Sequence, residues 1–90
     1  RLYDEIASES DDEVRFDAAG LRALPDPVAR RVIRFGAYRV LSVDVPAPWT
    51  KDGIEAVLDL ARGRPGRRRD LADGRVARRD RTHVVVERAR

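Results

Sequence analysis

Apolar positions change their period along this chain, and each change marks a change of element. Residues 27–41 carry two neighbouring stripes, Val28, Val32, Phe35 and Arg39 beside Ile33, Ala37, Val40 and Leu41. Together they predict a helix wide enough to face a core. Asp26 before Pro27 predicts its start, an N-cap ahead of proline at the first helical position. Arg30, Arg31 and Arg34 fall on the remaining face. Gly36, which costs a helix up to ~1 kcal/mol against alanine, suggests a close approach by another element. Residues 51–62 predict a second helix, with Ile54, Val57, Leu58 and Ala61 at i, i+3, i+4 and i+7. Thr50 caps it, and Gly63 and Pro65 stop it. Residues 44–48, with two prolines, read as a stiff loop between the two helices.

The flanks are shorter elements. Leu2, Tyr3 and Ile6 read as the last turns of a helix, followed by an acidic connector over 8–13. Val14 and Phe16 share one side of a short extended segment. Asp17 then caps a short helix that Leu24-Pro25 ends. In the last third the period drops to two, and strands are predicted at 67–71, 75–79 and 82–88. Asp73-Gly74 and Asp80-Arg81 supply the turns, and Val84-Val85-Val86 is the most β-prone run. The expectation is an α+β chain. Residues 1–13 form the end of a linker helix plus an acidic connector. Residues 14–90 form one small domain of two or three short-to-medium helices followed by a three-stranded antiparallel meander.

Composition narrows the function classes. Ninety residues make one domain. With 39% charged and 42% hydrophobic residues, the chain is too apolar for disorder and too charged for a membrane protein. No apolar run is long enough to span a bilayer, and no secretory segment opens the chain. The absence of methionine at residue 1 predicts a piece of something longer. Without cysteine there is no disulfide framework and no thiolate zinc site. A serine triad would have to use His83, the single histidine, with Ser8, Ser10 or Ser42, none in a nucleophile-elbow context. A two-histidine metal site is excluded. No catalytic residue, metal ligand or cofactor is expected in this chain. His83 and Trp49 read as structural. Tyr3, Phe16, Phe35 and Tyr38 are too scattered for an RNA-stacking platform. The 63–69 segment lacks the spacing of a phosphate-cradling loop.

Charge carries more. The formal net charge is +3. Residues 1–17 hold seven acids (Asp4, Glu5, Glu9, Asp11, Asp12, Glu13 and Asp17) against Arg1 and Arg15, whereas residues 62–81 hold nine arginines against Asp70, Asp73 and Asp80. Lys51 is the single lysine. GC-rich coding favours arginine over lysine but would scatter it evenly, so the clustering is the better signal. Alternate arginines on adjacent strands would give a sheet face a guanidinium ladder suited to phosphates. Equally, they would form a charge-balanced face by pairing with Asp70, Asp73, Asp80 and Glu87. Arg30, Arg31 and Arg34 carry the same two readings, the alternative to nucleic-acid contact being pairing with the acidic 9–13 segment.

The order of motifs resembles a known family. Leu24-Pro25 precedes the arginine-rich run from Val28 to Arg34, and a helix carries Ile54-Glu55-Ala56-Val57-Leu58-Asp59-Leu60. Gly63-Arg64-Pro65-Gly66-Arg67-Arg68-Arg69-Asp70-Leu71 then leads into Asp73-Gly74-Arg75-Val76-Ala77-Arg78-Arg79. Over roughly residues 21–86 this is similar to the region after the catalytic domain in tRNA(Ile)-lysidine synthetases. The family's histidine at the start of the second helix is replaced, with Asp52 and Gly53 nearby, and its hairpin proline-glycine is Ala72-Asp73 here. No pyrophosphatase loop is present. The resemblance implies a non-catalytic, tRNA-recognising domain in a cytoplasmic enzyme. The parent enzyme would ligate lysine to the wobble cytidine of isoleucine tRNA (CAU), with ATP and Mg handled in its catalytic domain. Expected partners are that tRNA and the catalytic domain of the same parent chain, with a homodimer left open. Arg67, Arg68, Arg69, Arg75, Arg78 and Arg79 match the hairpin, and Arg30, Arg31 and Arg34 the helix. Their role in tRNA contact is inferred from charge. The alternative is a protein-interaction or scaffolding module with charge-paired faces.

Overall fold

Nine elements form in a computed structural model that describes residues 2–41, 51–71 and 74–88. The expected 44–48 loop, Ser42, Trp49, the Thr50 cap and Asp73 lie outside the described residues. In chain order the elements are α1 (Leu2–Ile6), β1 (Ala7–Glu9), β2 (Val14–Asp17), α2 (Ala18–Arg22), α3 (Asp26–Leu41), α4 (Lys51–Arg62), β3 (Arg68–Leu71), β4 (Arg75–Arg79) and β5 (His83–Arg88).

The strands make one antiparallel sheet in the order β1-β2-β5-β4-β3. The meander β3–β4–β5 is there, but the expected three strands are five. Val84, Val85 and Val86 are all fully buried, so β5 is a central strand that needs a partner on each edge. Val14–Phe16, read as a short extended segment, supplies that partner, with Phe16 opposite Val84 and Val14 opposite Val86. The acidic connector is the tip of a β1–β2 hairpin, closed by Ser10 N–H donating to the Glu13 carbonyl at 3.0 Å.

Helices cover one sheet face. Val14, Phe16, Ala77, Val84 and Val86 alternate towards it and join Leu21, Ile33, Val57 and Leu58 in a single core. Asp17 caps α2 by accepting from Gly20 N–H at 3.0 Å. Asp80 organises the β4–β5 turn by accepting from Thr82 N–H at 2.9 Å and His83 N–H at 2.7 Å. Those two backbone donors hold its carboxyl below the usual aspartate range. Gly74, at φ 70°, takes the left-handed conformation a tight β3–β4 connection needs.

The N-terminal elements belong to the same core, with Tyr3 and Ile6 buried in it. The Tyr3 hydroxyl donates to Glu9 Oε2 at 2.9 Å, and Arg39 Nε donates to the same oxygen at 2.6 Å. Burial, and then Glu9, push the Tyr3 phenol well above its ordinary value. The Arg39 hydrogen bond draws the Glu9 carboxyl down. Tyr3 also meets Phe35 edge-on, with centroids 4.7 Å apart. Among the described residues, no helix is long and apolar enough to cross a membrane.

Candidate nucleic-acid interface

Pairing sorts the arginines. On the sheet face away from the helices, the registers line up Arg68 of β3, Arg78 of β4, Val85 of β5 and Arg15 of β2 in one cross-strand row. A ladder of guanidinium groups does form here, but carboxylates flank it. Arg68 pairs with Asp70 at 3.2 Å, Arg78 with Glu87 at 2.9 Å, and Arg15 with Glu13 at 3.3 Å. The Glu87 hydrogen bond raises the already high Arg78 pKa. Val85, fully buried on this open face, is flanked in register by Arg78 and Arg15, whose aliphatic stems can cover it. This face is charge-balanced.

Arg75 and Arg79 lie on the opposite face, with Ala77 between them. Only 7% and 6% of these residues is exposed. Arg79 Nε donates to the Leu60 carbonyl of α4 at 3.1 Å, and its Nη1 donates to the Asp80 carbonyl. Its guanidinium therefore works as an internal clamp between β4 and α4. On α3, Arg30 pairs with Glu55 of α4, which raises the arginine's pKa and lowers the glutamate's. Arg62 closes the same helix pair on Asp26.

Exposed arginines remain. Arg31, Arg34, Arg64, Arg67, Arg69 and Arg81 are exposed and make no ion pair with a described residue. The fold places three of them together. Gly66 N–H donates to the Arg79 carbonyl at 2.7 Å, and Arg79 N–H to the Arg67 carbonyl at 2.8 Å. The 63–67 segment is thereby pinned beside the β4–β5 turn. Arg64, Arg67 and Arg81 gather there at one end of the sheet, next to the end of α4. Three acids near this end are engaged: Asp17 caps α2, Asp26 holds Arg62, and Asp80 holds its own turn. The acidic hairpin tip lies at the opposite end, because Val14 sits opposite Val86 and Asp12 reaches Arg88 at 3.9 Å. Segregation of charge along the sequence has become a basic end and an acidic end in space.

Of the residues expected to contact RNA, Arg67 stands at the basic end and Arg69 follows it on β3. Arg31 and Arg34 lie on the outer face of α3. Arg68, Arg78 and Arg30 are exposed or half-buried but paired, and Arg75 and Arg79 are interior. Arg64 and Arg81 do not belong to that expected set, although both lie in the arginine-rich stretches. The signal that finds them is exposure without an ion pair to a described residue. His83 receives or gives a 2.7 Å hydrogen bond at Nδ1 with Thr82 Oγ1, inside the turn. No group of three or more metal-ligating side chains occurs among the described residues. The chemistry on offer is recognition of anionic oxygens by guanidinium groups.

Residues 16–85 match a family model described as TilS substrate binding domain. Neither a curated protein nor a solved structure matches the chain.

Proposed function

The chain belongs to the TilS substrate binding domain family, the substrate-binding part of tRNA(Ile)-lysidine synthetases, and from that premise we propose that it holds tRNA by arginine–phosphate contacts centred on its basic end. Arg64, Arg67 and Arg81 make the primary contact, and Arg69, Arg31 and Arg34 extend it. The parent enzyme would ligate lysine to the wobble cytidine of isoleucine tRNA (CAU), with ATP and Mg in a catalytic domain of the same parent chain. The observation that carries this reading is the gathering, at one end, of exposed guanidinium groups without a carboxylate partner among the described residues. A paired arginine has to give up an ion pair to bind a phosphate; these do not.

The triple variant Arg64→Ala, Arg67→Ala, Arg81→Ala tests it in fluorescence-polarisation titrations against tRNA at several salt concentrations. Affinity is expected to fall about tenfold or more at low salt. The slope of log K against log salt should flatten by about 0.7–0.9 for each phosphate that is no longer neutralised. The double variant Arg15→Ala, Arg68→Ala, on the charge-balanced face, should change affinity less than about twofold, because exposed pairs contribute little. Equal weakening by both variants would remove the basic end as the RNA-binding surface.

The balanced open face favours a second reading, a protein-interaction module. That reading predicts tight binding to a protein partner and wild-type tRNA affinity in the triple variant.

A further inference from the structure

The outer face of α3 combines two things the basic end does not, an aromatic surface and arginines beside it. Arg31, Arg34 and Tyr38 stand at i, i+3 and i+7, one stripe of a helix, and Phe35 borders it on the side of α1. These four side chains line a shallow, open groove of about 390 Å³. Its floor is fixed: Phe35 packs edge-on against Tyr3, and Arg39 lies over its ring with the guanidinium carbon 5.6 Å from the centroid. Tyr38 is 53% exposed, the most exposed of the large apolar residues described. Arg31 and Arg34 are exposed and make no ion pair with a described residue.

We propose that this face is a nucleobase platform, on which an unpaired base of bound RNA stacks against Tyr38 while Arg31 and Arg34 hold the flanking phosphates. This rests on the tRNA reading above and deepens it. The occupant follows from charge complementarity and chemistry. An apolar groove bordered by two exposed cations suits a ligand with a flat π-face and anionic groups beside it, and a single-stranded nucleotide is such a ligand. Continuity points the same way. Arg62 ties the end of α4 to Asp26 at the start of α3. Arg31 follows five residues along, roughly 7.5 Å at the helical rise, so the stripe leads away from the basic end. A duplex keeps its bases stacked inside and cannot use Tyr38. The groove therefore adds a preference for unpaired RNA to the sequence-independent phosphate contacts.

The test compares a short oligoadenylate strand with a blunt RNA duplex of equal length, each titrated by fluorescence polarisation against the chain and two variants. Tyr38→Ala should weaken binding of the single strand about tenfold and leave the duplex within about twofold. It should not change the salt slope, because the arginines go on neutralising the same phosphates. Tyr38→Phe should restore single-strand binding, since the ring and not the hydroxyl does the stacking. Melting curves for both variants check that the exposed position has not disturbed the fold.

A Tyr38→Ala chain that binds both probes like wild type overturns the platform. If the basic-end triple variant still weakens both probes, the phosphate reading stands without it. Equal weakening of strand and duplex also overturns the platform, and so does retention by this face of a protein partner instead of RNA. Failure of the wild-type chain to bind either probe overturns the platform and the tRNA reading together.

Discussion

Gly36→Val is expected to destabilise the chain by about 3 kcal/mol, because it forces side-chain volume into a filled core. In a domain of this size that lowers the melting temperature by about 12–24 °C. A Cβ at position 36 would lie 2.8 Å from Phe16 Cζ, 3.0 Å from Phe16 Cε1 and 3.1 Å from Tyr3 Cε1. Neither ring can yield. Phe16 is fully buried in β2, and the Tyr3 hydroxyl is bonded to Glu9. Local propensity alone predicts the opposite sign, since glycine inside a helix costs up to about 1 kcal/mol against alanine. Gly36→Ala sets that gain against a smaller clash, so it should cost distinctly less than valine. Thermal or denaturant melts of the two variants decide the matter. A valine variant that melts within a degree or so of wild type would mean that α3 does not lie directly on Phe16.

Arg79→Met is expected to cost about 1.5–3 kcal/mol while leaving the tRNA affinity of the folded molecule within about twofold of wild type. Methionine keeps much of the buried stem and removes the guanidinium. The buried Leu60 carbonyl at the end of α4 and the part-buried Asp80 carbonyl at the turn then lose their charged donor. The Leu60 carbonyl keeps its hydrogen bond from Gly63 N–H at 3.1 Å, so the cost is that of losing charge-assisted bonds, about 1.5–3 kcal/mol, rather than of two orphaned acceptors. Arg67, only twelve residues earlier, should behave in the opposite way, with little change in stability and weaker RNA binding. A stable Arg79→Met chain with weakened RNA binding would place the Arg79 guanidinium on the ligand instead.

Arg79 also shows where sequence reading stops. Period two in 75–79 establishes that Arg75, Ala77 and Arg79 share a face, but not which face is covered. Packing decides that: Ala77, fully buried, leaves room for α4 to come close, and the arginines beside it become interior. The long helices were legible, because Asp26-Pro27, the apolar stripes and Gly63 are local signals acting within a few residues. The Asp80 turn was legible for the same reason, and Gly74 marked the other connection. β1 was not, since Ala7, Ser8 and Glu9 carry no strand preference of their own. They become a strand only because β2 offers an edge, and β2 is central only because β5 needs a second partner. The β2–β5 pairing joins residues some seventy positions apart, as Phe16 and Val84 are, beyond the reach of a local pattern. Charge segregation survived the step from sequence to space because the acidic tip and the basic segment fold to opposite ends of the same sheet. Which arginines remain unpaired could be read only once Asp70, Glu87, Glu13 and Glu55 had found their partners.

The most direct measurement is the affinity of the wild-type chain for isoleucine tRNA (CAU) as a function of salt, by fluorescence polarisation. Contact through the three arginines of the basic end predicts binding whose logarithm falls linearly with log salt, with a slope of about −2 that steepens towards about −5 as Arg69, Arg31 and Arg34 join the contact. No binding at low salt, or binding indifferent to salt, would contradict phosphate recognition by this domain.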